Sequence, residues 1–450
     1  MESNRAPSRP LPDGDALHPL PDLAARIGHW AVKLRVADAR RARVRASIRD
    51  FFGCVVAGTR RPELRPALWL AQGGGVPVWG LPDSFDPAGA ALVTGTAGAL
   101  LQLHDVFLPA GLHPSAPVIA AAWSALHGIA VAPERDFVGA VAIGYEAANR
   151  FALACAPAQL QAGSAPTGTA GAIGAAVAAA LLGGLDADGV GRAVTNAALL
   201  LPLTPFVTMT SHGALAPLHS GLAARAGFEA ARLARDSAAG HAVLEGTART
   251  PGLVALLHGD LAKVEPAHWD GATLDAIAWK FAPACFGALT ALEAVLRLDR
   301  VPPDMIERLT VRLPDRMLAL IDSGPTDGHL YDRLMSLRWV LARALETGRY
   351  DAADAGTPSA IADALAARID IVHDRSLEQL PTELAASVEL RAAGRLQRLD
   401  YRRDADGEPR SAGTRAWTRV LDPIALEGKL RMLAGDLAPF ARTLELLGVD

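Results

Sequence analysis

Cysteine is scarce: Cys54, Cys155 and Cys285 are the only three in 450 residues, widely spaced and odd in number. A secreted disulfide framework is therefore excluded. Excess positive charge is also missing, because 44 Lys and Arg face 48 Asp and Glu for a net charge of −4. No partnership with nucleic acid or an anionic membrane is expected. Long apolar runs are absent as well. The best two, 115–132 and 170–185, are rich in Ala and Gly; the first is broken by His127 and the second is too short to cross a bilayer. Both read as buried helices. Residues 1–22 are polar and proline-rich, without the apolar stretch of a signal peptide, and read as a flexible lead-in. Five familiar signatures are missing too: HExxH, CxxC, GxSxG, the Walker A loop and a post-strand GxGxxG. These absences leave a cytoplasmic globular protein, 50% hydrophobic and 20% charged, with a small-molecule substrate and neither metal nor cofactor expected.

What is present is mostly helical. Val44, Ile48, Phe51, Phe52 and Val55 form one apolar stripe, while Arg40, Arg41, Arg43, Arg45 and Arg49 fall opposite and read as a solvated face. Gly171, Ala175, Ala179 and Gly183 recur every four residues, a pattern that admits a close helix neighbour rather than a phosphate. Near Trp279 the character changes. Leu309–Leu313 and Ile369–Val372 alternate as strands, Ser387–Arg391 and Leu396–Arg402 flank Ala392-Ala393-Gly394 as a hairpin, and Tyr331–Leu345 reads as a helix. Helix resumes over Pro423–Leu447. The expected fold is mainly α: a large all-helical domain (23–277 and 422–450) with an inserted smaller α+β lid domain (278–421). A cleft between two such domains suits a small ligand.

Candidate site residues lie where Gly and Pro interrupt apolar runs. His104, Asp105 and His113 sit in the loop LHDVFLPAGLHPS, His212 and His219 in SHGALAPLHSG, and Lys280 and Cys285 in WKFAPACFG. His104, Asp105 and His113 as metal ligands would have no standard spacing. Cys285 needs a base to become a nucleophile and otherwise reads as a buried structural thiol. His113 is the sharper candidate, because Pro114 holds it at the start of a small-residue helix, where negative charge is favoured.

The segments RASIRDFFGCVVAG, AALVTGTAGALLQLHD, LHPSAPVIAAA, TAGAIGAAVAAALLGGLD, PLHSGLAARAGFEAARLARDSAAG, WKFAPAC and SLRWVLARALETG, in this order, resemble the MmgE/PrpD family. That family includes 2-methylcitrate dehydratase, cis-aconitate decarboxylase and iminodisuccinate epimerase. The resemblance implies a helical domain, a smaller α+β lid, a cleft between them and a homodimer. It carries over His113, Asp105 and Lys280, with Gln102, His219, Cys285 and Ser336 as substrate-binding positions. The family loop L-D-F-D-D-T is altered: Gln102 and His104 stand at acidic positions and Val106 at the threonine. A family histidine falls on Ala165 and a family lysine on Ala216. Each charge-assisted hydrogen bond is worth roughly 1.5–3 kcal/mol, so these two losses alone remove about 3–6 kcal/mol of recognition for a citrate-like polyacid. Turnover of 2-methylcitrate or cis-aconitate is not expected.

The resemblance implies a diverged lyase or isomerase running cofactor-independent proton chemistry on a small, weakly anionic carbonyl or carboxylic acid compound. His113 is its general acid/base, Lys280 holds a carboxylate or the enolate charge, Asp105 orients His104 or His113, and His104 is a substitute base. An epimerase would pair His113 with Lys280 across one carbon. The alternative is a non-catalytic homologue, a dimeric scaffold or small-ligand binding protein.

Overall fold

The computed structural model describes residues 22–129, 136–210, 213–236, 240–314, 321, 328–355, 357–378, 385–402 and 437–449. Residues 1–21 of the lead-in, His212, and the start of the segment expected to be helical from Pro423 lie outside them.

At the centre of a helical bundle lies Pro166–Leu182, surrounded by Phe137–Cys155, Ser115–Gly128, Ala187–Leu200 and Leu218–Leu233. Its small residues explain the tight packing. A Cβ on Gly174 would meet the Gly144 carbonyl oxygen, and one on Gly227 would meet Ala175. The four-residue repeat is thus a packing seam. Val44, Ile48, Phe51, Phe52 and Val55 on helix Asp38–Thr59 are all buried, as their spacing requires. Phe52 stacks on Trp79 with ring centroids 4.0 Å apart, and Phe440 covers the other side at 4.3 Å. The C-terminal residues therefore pack on the bundle, where Gly448 accepts a 2.7 Å hydrogen bond from Arg45.

The arginines opposite the stripe are not a solvated face. Arg40 binds Asp275, Arg41 clamps Asp136 through both terminal nitrogens, and Arg45 reaches Gly448. Arg43 donates to the carbonyls of Leu274 (3.2 Å) and Ile277 (2.7 Å), and its guanidinium lies 4.7 Å from the Trp279 ring centroid. A planar fork on a long stem can reach carbonyls and ring faces that a helical wheel does not display.

A four-stranded mixed sheet is the other component, in spatial order Ile369–His373, Ile306–Leu313, Ala385–Ala392, Arg395–Arg402. The first pair is parallel and the others antiparallel. The hairpin turns at Ala393 and Gly394, both with positive φ, as a tight two-residue turn demands. The expected helix Tyr331–Leu345 is instead two, Leu330–Met335 and Leu337–Thr347. Ser336 leaves helical geometry between them and accepts from Trp339 N, capping the second. The chain is mainly α with a small mixed sheet.

Candidate functional site

The site is assembled where the 102–114 loop meets the 277–285 segment. Pro109, Gly111 (φ +63°) and Pro114 stop the helix ladder and fold the loop back, so that Phe107 and Leu112 exchange backbone hydrogen bonds. Val106–Phe107 then pairs antiparallel with Ile277–Ala278. This two-residue ladder brings Lys280 against the loop. Arg43 and Ser47 brace the same segment from helix Asp38–Thr59, Ser47 by accepting from the Trp279 indole N–H at 3.0 Å.

His113 is half-buried; its backbone N–H donates to Thr167 Oγ1 at 3.1 Å, and its Nδ1 lies 2.8 Å from the Asp105 carbonyl oxygen. A carbonyl oxygen only accepts, so Nδ1 carries the proton and the Nε2 lone pair is the ring's basic position. Burial pushes the imidazole pKa down to about 3, with the Lys280 charge as the next cause and His219 a lesser one; the Asp105 carbonyl opposes them. His113 is thus a neutral base. His104 lies against it, ring centroids 4.7 Å apart, but is buried. Of the two residues, His113 is the more exposed.

Asp105 does hold His113, but through its backbone oxygen. Its carboxylate turns into the bundle, accepting from Ser115 N (3.1 Å) and the Tyr145 hydroxyl (2.9 Å). Burial raises its pKa to about 6 and the nearby Asp50 adds to the rise, against the two hydrogen bonds. The buried Lys280 ammonium donates to Gln102 O (2.8 Å), Gln102 Oε1 (3.1 Å) and Ala284 O (3.4 Å). Gln102 Nε2 in turn donates to the Tyr331 hydroxyl at 2.8 Å.

Cys285 is buried; burial raises its pKa, while Lys280 pulls the other way. His219 directs Nδ1 at Ala216 O (2.5 Å), and burial lowers its basicity. Ser336 spends its hydroxyl on the helix cap. Ala165 and Ala216 are both buried, so methyl groups stand at the two positions where the resemblance places a histidine and a lysine. Sequence reasoning missed Thr167, Tyr145, Tyr331 and Arg43. Only Tyr145 carried a signal, a polar hydroxyl inside the small and apolar run FVGAVAIGYEAANRF.

Among the described residues no three His, Cys, Asp or Glu side chains converge as metal ligands, and no helix is long and apolar enough to cross a membrane. Fold and site together define a helical protein with a small mixed sheet, carrying an imidazole and an ammonium where the 102–114 loop meets the 277–285 segment. The MmgE/PrpD N-terminal domain model matches residues 25–261 and the MmgE/PrpD C-terminal domain model residues 282–416. The chain belongs to the MmgE/PrpD family, which points to dehydratase or lyase chemistry in general. A search of curated proteins finds no match.

Proposed function

We propose that the protein is a diverged MmgE/PrpD lyase or isomerase that moves a proton on a small carbonyl or carboxylic acid compound of low charge. One observation carries the reading: the Asp105 carbonyl fixes the His113 proton on Nδ1, which leaves Nε2 as a neutral base in the field of the Lys280 charge. In the reaction, Nε2 takes the proton from the carbon next to the carbonyl, and the C–H electron pair becomes an enolate. Lys280 stabilises that charge by its field. When a β-hydroxyl is present, the enolate re-forms a C=C bond and expels it, and the imidazolium returns its proton to the departing oxygen as water. A histidine of depressed basicity is a poor base at rest but a strong acid once protonated. The negative charge arriving with the substrate offsets the Lys280 effect and raises the proton affinity of His113 when it is needed.

The low charge of the substrate follows from Ala165 and Ala216, since a carboxylate buried against methyl groups loses its solvation without a partner. The test is incubation in deuterated water with a panel of β-hydroxy acids, β-keto acids, and their esters and amides, read by mass spectrometry. Deuterium wash-in or water loss in a monoacid or neutral member supports the reading. Inertness of the whole panel, with binding of its members intact, would favour a ligand-binding homologue.

A further inference from the structure

His113 is held at two points, and they belong to different parts of the bundle. Pro114 biases its backbone away from the helical region, so its N–H stays outside the ladder of helix Ser115–Gly128. That N–H goes to Thr167 Oγ1 at 3.1 Å, while Nδ1 is held by the Asp105 carbonyl. Thr167 is 2% exposed and stands in the first turn of helix Pro166–Leu182, whose preceding residue, Ala165, offers no side-chain cap. Its hydroxyl therefore serves the neighbouring loop and not its own helix end.

Packing brings Thr167 to this place. A Cβ on Gly171 would press on Pro117 Cγ at 2.6 Å, and one on Gly183 would press on Ile129 at 2.9 Å. From His113 and Thr167 through these two contacts the partners advance together by equal numbers of residues, so the two helices lie parallel and level. A slip of either helix would carry Thr167 away from the His113 N–H. We propose that Thr167 is a positioning residue: by taking that N–H, its hydroxyl seats the ring on the Asp105 carbonyl and so sets the direction of Nε2. Without the acceptor the amide is left unpaired in a half-buried loop, and the main chain turns to satisfy it, moving the ring as well. The central helix thus aims the base although it contributes no atom to the reaction. The proposal takes from the functional reading only the role of His113 as the base, because the seating of the ring is measured without turnover.

The experiment uses the full-length protein with Thr167→Val, which keeps the branched shape and removes the acceptor, and Thr167→Ser, which keeps the acceptor. Nitrogen NMR reads the His113 amide and the ring tautomer, and deuterium incorporation into a panel compound reads the chemistry. In Thr167→Val a second, Nε2–H tautomer should appear, and exchange should fall about ten- to a hundredfold, the scale for a misplaced catalytic group. Thr167→Ser should restore both. Gly171→Ala keeps the hydroxyl but presses the helices apart one turn away, and should move the His113 amide signal in the same direction as Thr167→Val. Leu365→Ala opens a cavity in helix Ala360–Ala366, which packs on helix Leu337–Thr347; it should lower the thermal midpoint and leave every His113 signal unchanged. A single wild-type tautomer or an undiminished exchange rate in folded Thr167→Val would overturn the proposal. So would failure of Thr167→Ser to restore the tautomer, an unmoved amide in Gly171→Ala, or the same tautomer change in Leu365→Ala. A panel inert with wild type, beside a changed tautomer in Thr167→Val, would refute the lyase reading and leave the role of Thr167 standing.

Discussion

Lowering the pH from 8 to 5 should leave His113 uncharged, unlike an ordinary histidine. With its pKa pushed to about 3, only about 1% of the ring is protonated at pH 5, where a free imidazole is about 97% protonated. The same difference couples to stability. The unfolded chain takes the proton as pH falls through about 6.5 and the native protein only near 3, so the contribution of His113 is lost progressively on acidification. The full interval corresponds to about 5 kcal/mol, reduced to roughly 3–4 kcal/mol because His113 is only half-buried. Histidine ring nitrogen NMR reads both tautomer and charge, and His113→Gln assigns the signal among the 12 histidines. The expected spectrum is a neutral Nδ1–H tautomer throughout. Removing the charge with Lys280→Met should raise the proton affinity about thirtyfold, since a unit charge nearby at an effective dielectric near 20 is worth roughly 2 kcal/mol. The ring should remain less basic than a free imidazole, because burial is the larger cause. Titration of wild-type His113 near pH 6.5, or a proton on Nε2, would refute the reasoning.

Asp105 works in the opposite direction. Its folded pKa of about 6 exceeds the unfolded value, so its contribution is present in acid and lost as pH rises through 6. Relative to wild type, Asp105→Asn should gain about 1–2 kcal/mol between pH 5 and pH 8 in urea unfolding, and parallel stability curves would contradict this. Tyr145→Phe leaves the buried carboxylate one donor short, with a loss of about 1–3 kcal/mol in the same assay. No loss would mean that the hydroxyl does not hold Asp105. Gly227→Val forces a branched side chain into Ala175 and should destabilise by several kcal/mol in thermal unfolding. A neutral effect would contradict the packing seam.

Periodicity made the helical bundle, the four strands and the hairpin legible, because burial imposes a repeat of 3.6 or 2 on every element that packs. Ser336 escaped it: one capping hydroxyl divides a continuous apolar pattern without altering it. The short ladder of Val106–Phe107 on Ile277–Ala278 was invisible for another reason, since two-residue strands far apart in sequence have no period. His113, Lys280 and Asp105 were singled out by Pro and Gly punctuation and by family motifs; the structure sets the His113 ring on the Asp105 carbonyl and within the field of Lys280. That Asp105 and Gln102 each act through a main-chain carbonyl is backbone information, which side-chain identity does not encode. Arg43 was misread because charge on a helix face says nothing about which distant carbonyls lie within reach.

Proton abstraction by the His113 lone pair next to Lys280 is tested most directly by the rate of deuterium incorporation into an active panel compound, compared between wild type and His113→Ala of unchanged thermal midpoint. A general base contributes typically 10²–10⁴-fold, so exchange should fall by at least about a hundredfold in the variant while binding of the compound is retained. Equal exchange rates in the two proteins would contradict the account.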